Sequence, residues 1–300
     1  AVPGADRAAI QVHDIGVNII RNAEGQIGYR ILVGGGLGRT PIVGEEIRSF
    51  LPEEDLLTYL DAVIRVYNQF GRRDNKYKAR IKILVKALGV ERMVELVEAE
   101  WERIKNGDSK LTSAELERVK KHFTDPAYKA LSDEPAELTS ARAENAAFAR
   151  WLQRNVRAHK QDGYAIVTLT LKQKGTPPGD VTAEQMDQIA MLADKYSFGE
   201  IRSTHQQNLV LADVEQSELF ALWQEAKALG LATPTLGLLT DMICCPGGDF
   251  CALANAKSIP VAEAIQLRFD DLDYLHDLGE IDLNISGCMN ACGHHHVGNI

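Results

Sequence analysis

The chain of 300 residues carries a net charge of -9, with 45% hydrophobic and 25% charged residues. That composition belongs to a soluble globular protein with room for one large domain or two ordinary ones, and the acidic excess argues against non-specific attraction to nucleic acid or anionic lipid. No apolar run approaches the ~18 residues needed to span a bilayer, and Ala1 to Asp14 lack the basic start and apolar stretch of a signal peptide, so the expected location is the cytoplasm.

Residues 26–34 read as a strand running into the turn Gly34-Gly35-Gly36-Leu37-Gly38. Pro52 followed by Glu53, Glu54 and Asp55 makes a helix start, and Leu56, Leu57, Leu60, Val63, Ile64 and Tyr67 recur at helical spacing until Gly71. A second helix is predicted over about 77–88 and a third over about 91–104, with a polar connecting region of weak helical periodicity over 106–160. A new unit begins at Gly163. Residues 164–171 read as a strand, Thr182 with Gln185 as a capping box for a helix to about Tyr196, 200–203 and 208–212 as strands, and 216–229 as a helix. That β-α-β-β-α order suggests a split-βαβ, ferredoxin-like module. Because strands and helices do not alternate strictly, the class is α+β.

All five cysteines fall after residue 235: Cys244, then Cys245 and Cys251 separated by Pro-Gly-Gly-Asp-Phe, then Cys288 and Cys292 separated by Met-Asn-Ala. Disulfides are disfavoured without a secretory signal. A structural zinc site usually uses a tighter C-x₂₋₄-C spacing. Buried unliganded thiols have little appeal for two pairs in Gly-rich turns. A cubane iron–sulfur cluster fits better: it is larger than one ion, so its ligand loops are wide and let backbone N–H groups approach sulfur. Gly247, Gly248, Gly287 and Gly293 permit that approach. Cys244 is read as a non-ligand, since adjacent side chains point apart.

The blocks Ile243-Cys244-Cys245-Pro246-Gly247-Gly248-Asp249-Phe250-Cys251 and Ile285-Ser286-Gly287-Cys288-Met289-Asn290-Ala291-Cys292-Gly293 resemble the C-x₅-C … C-x₃-C signature of sirohaem sulfite and nitrite reductases. Residues 34–41, 71–85 and 202–209 resemble the bacterial members as well. The resemblance implies a pseudo-twofold α+β fold with ferredoxin-like modules, about twice this length, here truncated at both ends. It implies Cys245, Cys251, Cys288 and Cys292 as ligands of a [4Fe-4S] cluster, with Cys292 also the axial ligand of the sirohaem iron. By the same comparison residues 1–135 are the first sirohaem/[4Fe-4S]-type domain lacking its start. Residues 136–160 then connect it to a ferredoxin-like half-domain at 161–232, and 233–300 start the second large domain. The similarity of Val12-His13-Asp14-Ile15-Gly16 to Val297-Gly298-Asn299-Ile300, each after a Gly-containing turn (Gly4, Gly287), accords with a duplicated protein. The family's anion-binding arginines and lysine pair would lie upstream of Ala1, so this chain alone is expected to have little reductase activity.

Between Arg65 and Lys86 stand eight basic residues and one acidic residue, Asp74. Arg73, Lys76 and Arg80 share a helix face if the second helix begins early. A solvated face is the bland reading, and nucleic-acid binding is weakened by the overall charge. The resemblance gives this segment a different role, because sirohaem is rich in carboxylates that Arg and Lys neutralise. Arg73, Arg80 and Lys82 are thereby expected at the cofactor, together with Gln207 in the turn His205-Gln206-Gln207-Asn208, and Asn290. The Gly34–Gly38 run lacks the G-x-G-x-x-G spacing of a dinucleotide site and is expected to let backbone approach the macrocycle. His294 to His296 are read as neither a tag nor a separate metal site, with His294 a candidate hydrogen-bond donor behind the ligands.

The resemblance implies six-electron reduction of sulfite to sulfide, or nitrite to ammonia, in sulfur or nitrogen assimilation, with sulfite favoured and ferredoxin or a flavoprotein as electron donor. No nucleic-acid or membrane partner is expected. The alternatives are an iron–sulfur electron-transfer module or a zinc-stabilised binding module, neither with substrate chemistry.

Overall fold

The computed structural model describes residue 6 and residues 8–300; Gly4 lies outside the described residues. The chain divides into two compact units, Ala1–Thr124 and Asp125–Ile300.

In the first unit, strands β1 (Ile15–Arg21), β2 (Ile27–Val33) and β3 (Glu45–Pro52) form an antiparallel meander in the order β1-β2-β3. β2 is the strand expected from the sequence; its inward residues Ile31 and Val33 are fully buried. Helices α1 (Leu56–Phe70), α2 (Ile81–Leu88) and α3 (Val90–Ile104) cover the sheet. On α1, Tyr59, Ala62, Val63 and Val66 fall at helical spacing and meet Met93, Val97 and Trp101 of α3 in one core. The acidic start that follows Pro52 is a single 3₁₀ turn, Glu53–Asp55, from which α1 continues. Glu98 of α3 ties three elements together: its carboxylate accepts from Arg48 of β3 at 3.0 Å and from the Tyr59 hydroxyl of α1 at 2.8 Å. A further helix, α4 (Ser113–Lys120), is capped by Thr112, whose hydroxyl accepts from the Glu115 N–H at 3.2 Å.

The second helix departs from expectation. Asn75 closes a separate 3₁₀ turn, Lys76–Lys78, by accepting from the Tyr77 N–H at 3.0 Å. Arg80 is extended (φ -137°, ψ 148°), and α2 starts only at Ile81. Arg73, Lys76 and Arg80 therefore do not share a helix face.

The second unit begins with α5 (Ala136–Glu144) and α6 (Ala146–Asn155), both within the stretch whose composition reads as polar and connecting. Phe148 and Trp151 of α6 are fully buried and join the core of the ferredoxin-like module. That module holds β4 (Val156–Ala158), β5 (Tyr164–Leu169), α7 (Ala183–Tyr196), β6 (Arg202–Ser203), β7 (Leu209–Glu215) and α8 (Leu219–Ala228). Its four-stranded antiparallel sheet has the order β4-β5-β7-β6. β7 thus inserts between β5 and β6, the split-βαβ arrangement, and β4 fills the remaining edge from the N-terminal side. The predicted capping box is present: Thr182 Oγ1 accepts from the Gln185 N–H at 3.1 Å, and Gln185 Oε1 from the Thr182 N–H at 2.9 Å.

A third, smaller core gathers Leu238, Met242, Cys244, Ala262 and Leu275. It belongs to β8 (Ile243–Cys244), α9 (Ile259–Arg268), α10 (Leu272–Leu278) and β9 (Asn284–Ile285), with β8 and β9 paired in parallel.

Two substitutions separate core from cap. Phe148→Ala is expected to lower stability by about 3–5 kcal/mol through lost burial and a residual cavity, whereas Thr182→Ala is expected to cost about 1 kcal/mol. Denaturant unfolding of the two variants measures both.

Candidate functional site

Two residues of parallel strand organise the cysteines. Ile243 lies opposite Asn284 and Cys244 opposite Ile285, and the ladder continues one step as the Cys245 N–H donates to the Ile285 carbonyl at 3.0 Å. In a parallel pair both strands end on the same side, so the two cysteine loops leave from adjacent points. They are then laced together. The N–H groups of Asn255 and Ala256 both donate to the Gly287 carbonyl at 2.9 and 3.0 Å, and Gly248 N–H donates to the Ala256 carbonyl at 2.9 Å. Lys257 and Asp249 form an ion pair at 3.0 Å across the same loop. The backbones approach so closely that only glycine fits at two points. A Cβ on Gly247 (φ +58°) would lie 2.1 Å from Ser258 Oγ, and one on Gly287 would lie 2.8 Å from the Gly247 Cα.

The two neighbouring thiols are set apart by their surroundings. Cys245 Sγ accepts from the Gly287 N–H at 3.1 Å and lies 3.4 Å from Ser258 Oγ. Burial alone would raise its pKa; the Ser258 hydroxyl and the Gly287 and Gly247 N–H groups outweigh burial and bring it below the ordinary thiol value. Cys244 is buried in the third core, donates to the Cys245 carbonyl at 3.3 Å, and is pushed up to about 11 by burial and by Cys245 beside it. Cys251 and Cys288 are half-buried and Cys292 is exposed. The described residues contain no group of three or more His, Cys, Asp or Glu side chains gathered for a single metal ion. What they do contain is a thiol polarised by N–H and O–H donors within a glycine-lined cradle, and this donor chemistry fits an iron–sulfur cluster. Asn290 is exposed between Cys288 and Cys292. His294 receives the Asn284 side-chain amide on its backbone carbonyl at 3.1 Å.

Gln207 has a role that sequence reasoning did not supply. In left-handed backbone (φ +57°), its side chain grips both backbone groups of Cys244: Nε2 donates to the carbonyl and Oε1 accepts from the N–H, each at 2.9 Å. Lys172, buried, donates to the carbonyls of Gln206 and Gln207 at 2.7 and 3.1 Å. Asn208 accepts from the Leu171 N–H at 3.0 Å and donates to Asp241 Oδ1 at 2.8 Å, and Asp241 also accepts from the Gly237 N–H at 3.0 Å. A buried polar network thus joins the ferredoxin-like sheet to the strand that carries the cysteines. Burial pulls the Lys172 ammonium down to about 8, against the pull of Asp241. Burial pushes the Asp241 carboxyl up to about 6, against Lys172, the Gly237 N–H and Asn208. The available signal was a single charge set in each of two apolar stretches, 164–172 and 236–245.

Arg73, Arg80 and Lys82 lie in the first unit. Arg73 stacks 4.5 Å from the Tyr67 ring centroid and donates to Asn68 Oδ1 at 3.0 Å. Arg80 pairs with both oxygens of Asp14, at 3.0 and 2.8 Å. Lys82 is buried and donates to the carbonyls of Leu37 and Thr40 at 2.8 and 2.9 Å, while burial and then Arg80 draw its pKa down. The Gly-rich turn is therefore seated on the start of α2: a Cβ on Gly36 would come within 3.0 Å of both Arg80 Nη2 and Lys82 Cδ.

Residues 1–105 match the family domain described as "Nitrite and sulphite reductase 4Fe-4S domain", and residues 157–229 match the "Nitrite/Sulfite reductase ferredoxin-like half domain". The chain belongs to the nitrite and sulfite reductase family. The first match covers a segment without cysteine, and all five cysteines of the chain follow the second match. It is 29% identical over 290 residues to a chloroplastic ferredoxin–nitrite reductase of Arabidopsis thaliana, covering 93% of this chain and 42% of that one. It is 26% identical to Sulfite reductase [ferredoxin] 2 of Mycolicibacterium paratuberculosis, covering 100% and 48%. The fold resembles that of the Mycobacterium tuberculosis NirA protein, with a TM-score of 0.68, 22% identity, and coverage of 96% of this chain and 46% of that one. The chain thus spans less than half the length of these relatives.

Asp241 gives a pH test of the buried network. Its folded value, about 6, exceeds its ordinary value of 3.8, so its contribution to stability is fully present below the lower value and is lost as pH rises through the higher. The stability difference between the native chain and Asp241→Asn is expected to fall by about 3 kcal/mol across that window, as measured by urea unfolding at a series of pH values.

Proposed function

We propose that Cys245, Cys251, Cys288 and Cys292 hold a [4Fe-4S] cluster beside a sirohaem, and that the protein reduces sulfite to sulfide or nitrite to ammonia by six electrons. The observation that carries this reading is the parallel β8–β9 pair, which launches both cysteine loops from one point and aims the Gly287 N–H at Cys245 Sγ. Family membership and the two cofactors fit one another. When bound, the cofactors supply the electron transfer and the site where the anion is reduced; the protein supplies position, charge and protons.

The chain's own residues divide that work. Cys245 is held in a donor-rich setting suited to a thiolate ligand, while Cys244, buried and with its pKa pushed up, stays protonated and out of the ligand set. Gln207 fixes the Cys244 backbone rather than reaching outward. Arg73 has an exposed guanidinium for a carboxylate of the sirohaem. Arg80 and Lys82 set the Gly34–Gly38 turn, with one Lys82 proton left beyond its two carbonyl bonds. Cys292 as the shared ligand and Asn290 as a contact of the macrocycle belong to the same reading.

Ferredoxin is the electron donor named for the plant and mycobacterial relatives, and we propose it here, with a flavoprotein as the other candidate. No helix among the described residues is long and apolar enough to cross a membrane. Thiolate ligands require a reducing compartment, and we propose the cytoplasm as that location.

Metal and sulfide content decides the matter. Protein purified without oxygen from cells that make sirohaem is expected to hold about four iron and about four acid-labile sulfide per chain, with a haem-like absorption band. Cys245→Ser is expected to lose most of the iron, and Cys244→Ser to keep it. Zinc without sulfide would overturn the reading.

A further inference from the structure

Ser258 stands immediately before α9, where a serine ordinarily accepts a hydrogen bond from an N–H of the first helical turn. Here it makes no such bond, and its own backbone is already helical (φ -86°, ψ -39°). The side chain is instead 2% exposed, turned into the space between the two cysteine loops, with Oγ 3.4 Å from Cys245 Sγ. The loops are shaped around that hydroxyl: Cβ atoms on Gly247 and Gly287 would lie 2.1 and 3.1 Å from Ser258 Oγ. A side chain at Gly247 would therefore expel it. The helix gives up a cap, and the loops give up side chains, to bring one O–H to the cysteine pair, within 3.4 Å of Cys245 Sγ and in contact with the Cys244 thiol as well.

We propose that Ser258 is a positioning and tuning residue for the cluster: its hydroxyl donates to the ligand sulfur of Cys245 and raises the cluster's reduction potential. This inference rests on the cluster reading above. A ligating thiolate has no proton to give, so the hydroxyl must be the donor. Reduction adds negative charge that is shared with the ligand sulfurs. A hydrogen bond to sulfur stabilises that charge more in the reduced state than in the oxidised one, and the potential rises. Cys245 Sγ then receives the Ser258 O–H together with the backbone N–H groups of Gly287 and Gly247, which also fix the direction in which the sulfur faces.

The test compares the native chain with Ser258→Ala and Ser258→Cys, each loaded with cluster and titrated with dithionite under electron paramagnetic resonance. Iron and sulfide are measured on every sample. With cluster content equal to native, Ser258→Ala is expected to shift the reduced-to-oxidised ratio at fixed potential about tenfold toward oxidised, which is about 59 mV for one electron. Ser258→Cys, with a weaker donor of similar shape, is expected to fall between. Pulsed measurements in deuterated buffer are expected to lose one exchangeable proton coupling in the alanine variant and retain the couplings from the backbone N–H groups of Gly287 and Gly247. Full cluster content with an unchanged potential in Ser258→Ala overturns the proposal. So does loss of cluster from both variants, which would assign Ser258 to packing alone. If the native chain itself takes up no iron and sulfide, the cluster reading fails first, and the native sample shows it without reference to Ser258.

Discussion

The second unit depends on a short stretch of backbone held from both sides. Cys244 lies opposite Ile285, to which the next residue, Cys245, donates its N–H, and both backbone groups of Cys244 itself are taken by the Gln207 side chain. The first contact fixes where the two cysteine loops begin relative to each other. The second fixes both loops relative to the ferredoxin-like sheet. Gln207 can do this because its own backbone is left-handed and because Lys172 holds the two carbonyls around it. Buried charge is thus concentrated where geometry matters most, and it is compensated there by Asn208, Asp241 and the Gly237 N–H.

How much of this could be read from the sequence depended on how local each signal was. The box of Thr182 and Gln185, the periodicity of α1 and the order of elements in the ferredoxin-like module are local patterns, and all three are present. The start of α2 was misread because Asn75 diverts the chain into a separate turn and Arg80 stays extended, an outcome set by a side-chain bond that periodicity does not register. The window over 106–160 averages to polar, yet Phe148 and Trp151, three residues apart on α6, are among the most buried residues in the unit. Window averages hide a single apolar face on a short helix.

At the site, the cysteine spacing pointed to wide, converging loops, and the parallel strand ends supply them. The supporting residues were a different matter. Gln207 was expected to face a cofactor and instead holds main chain; Lys82 was expected at carboxylates and spends two of its protons on the Gly-rich turn. Ser258 and Lys172 drew no notice at all. Such roles arise from contacts between residues far apart in the chain, and a single sequence carries no mark of them. The family resemblance carries no information on what each of these side chains touches.

The parallel pair has a further consequence for how the chain folds. Cys244 and Ile285 are joined by 40 intervening residues, yet the strands contribute only two residues each. Closing so long a loop costs conformational entropy before the few ladder bonds can repay it. α9 and α10 lie within that loop and pack into the same small core as Cys244 and Leu283, so core and strand pair close together. A ligand that binds all four thiols at once would favour the closed state by mass action, since it has no comparable partner in the open chain. The site would then be completed by what it binds, with the polypeptide setting only the direction of approach.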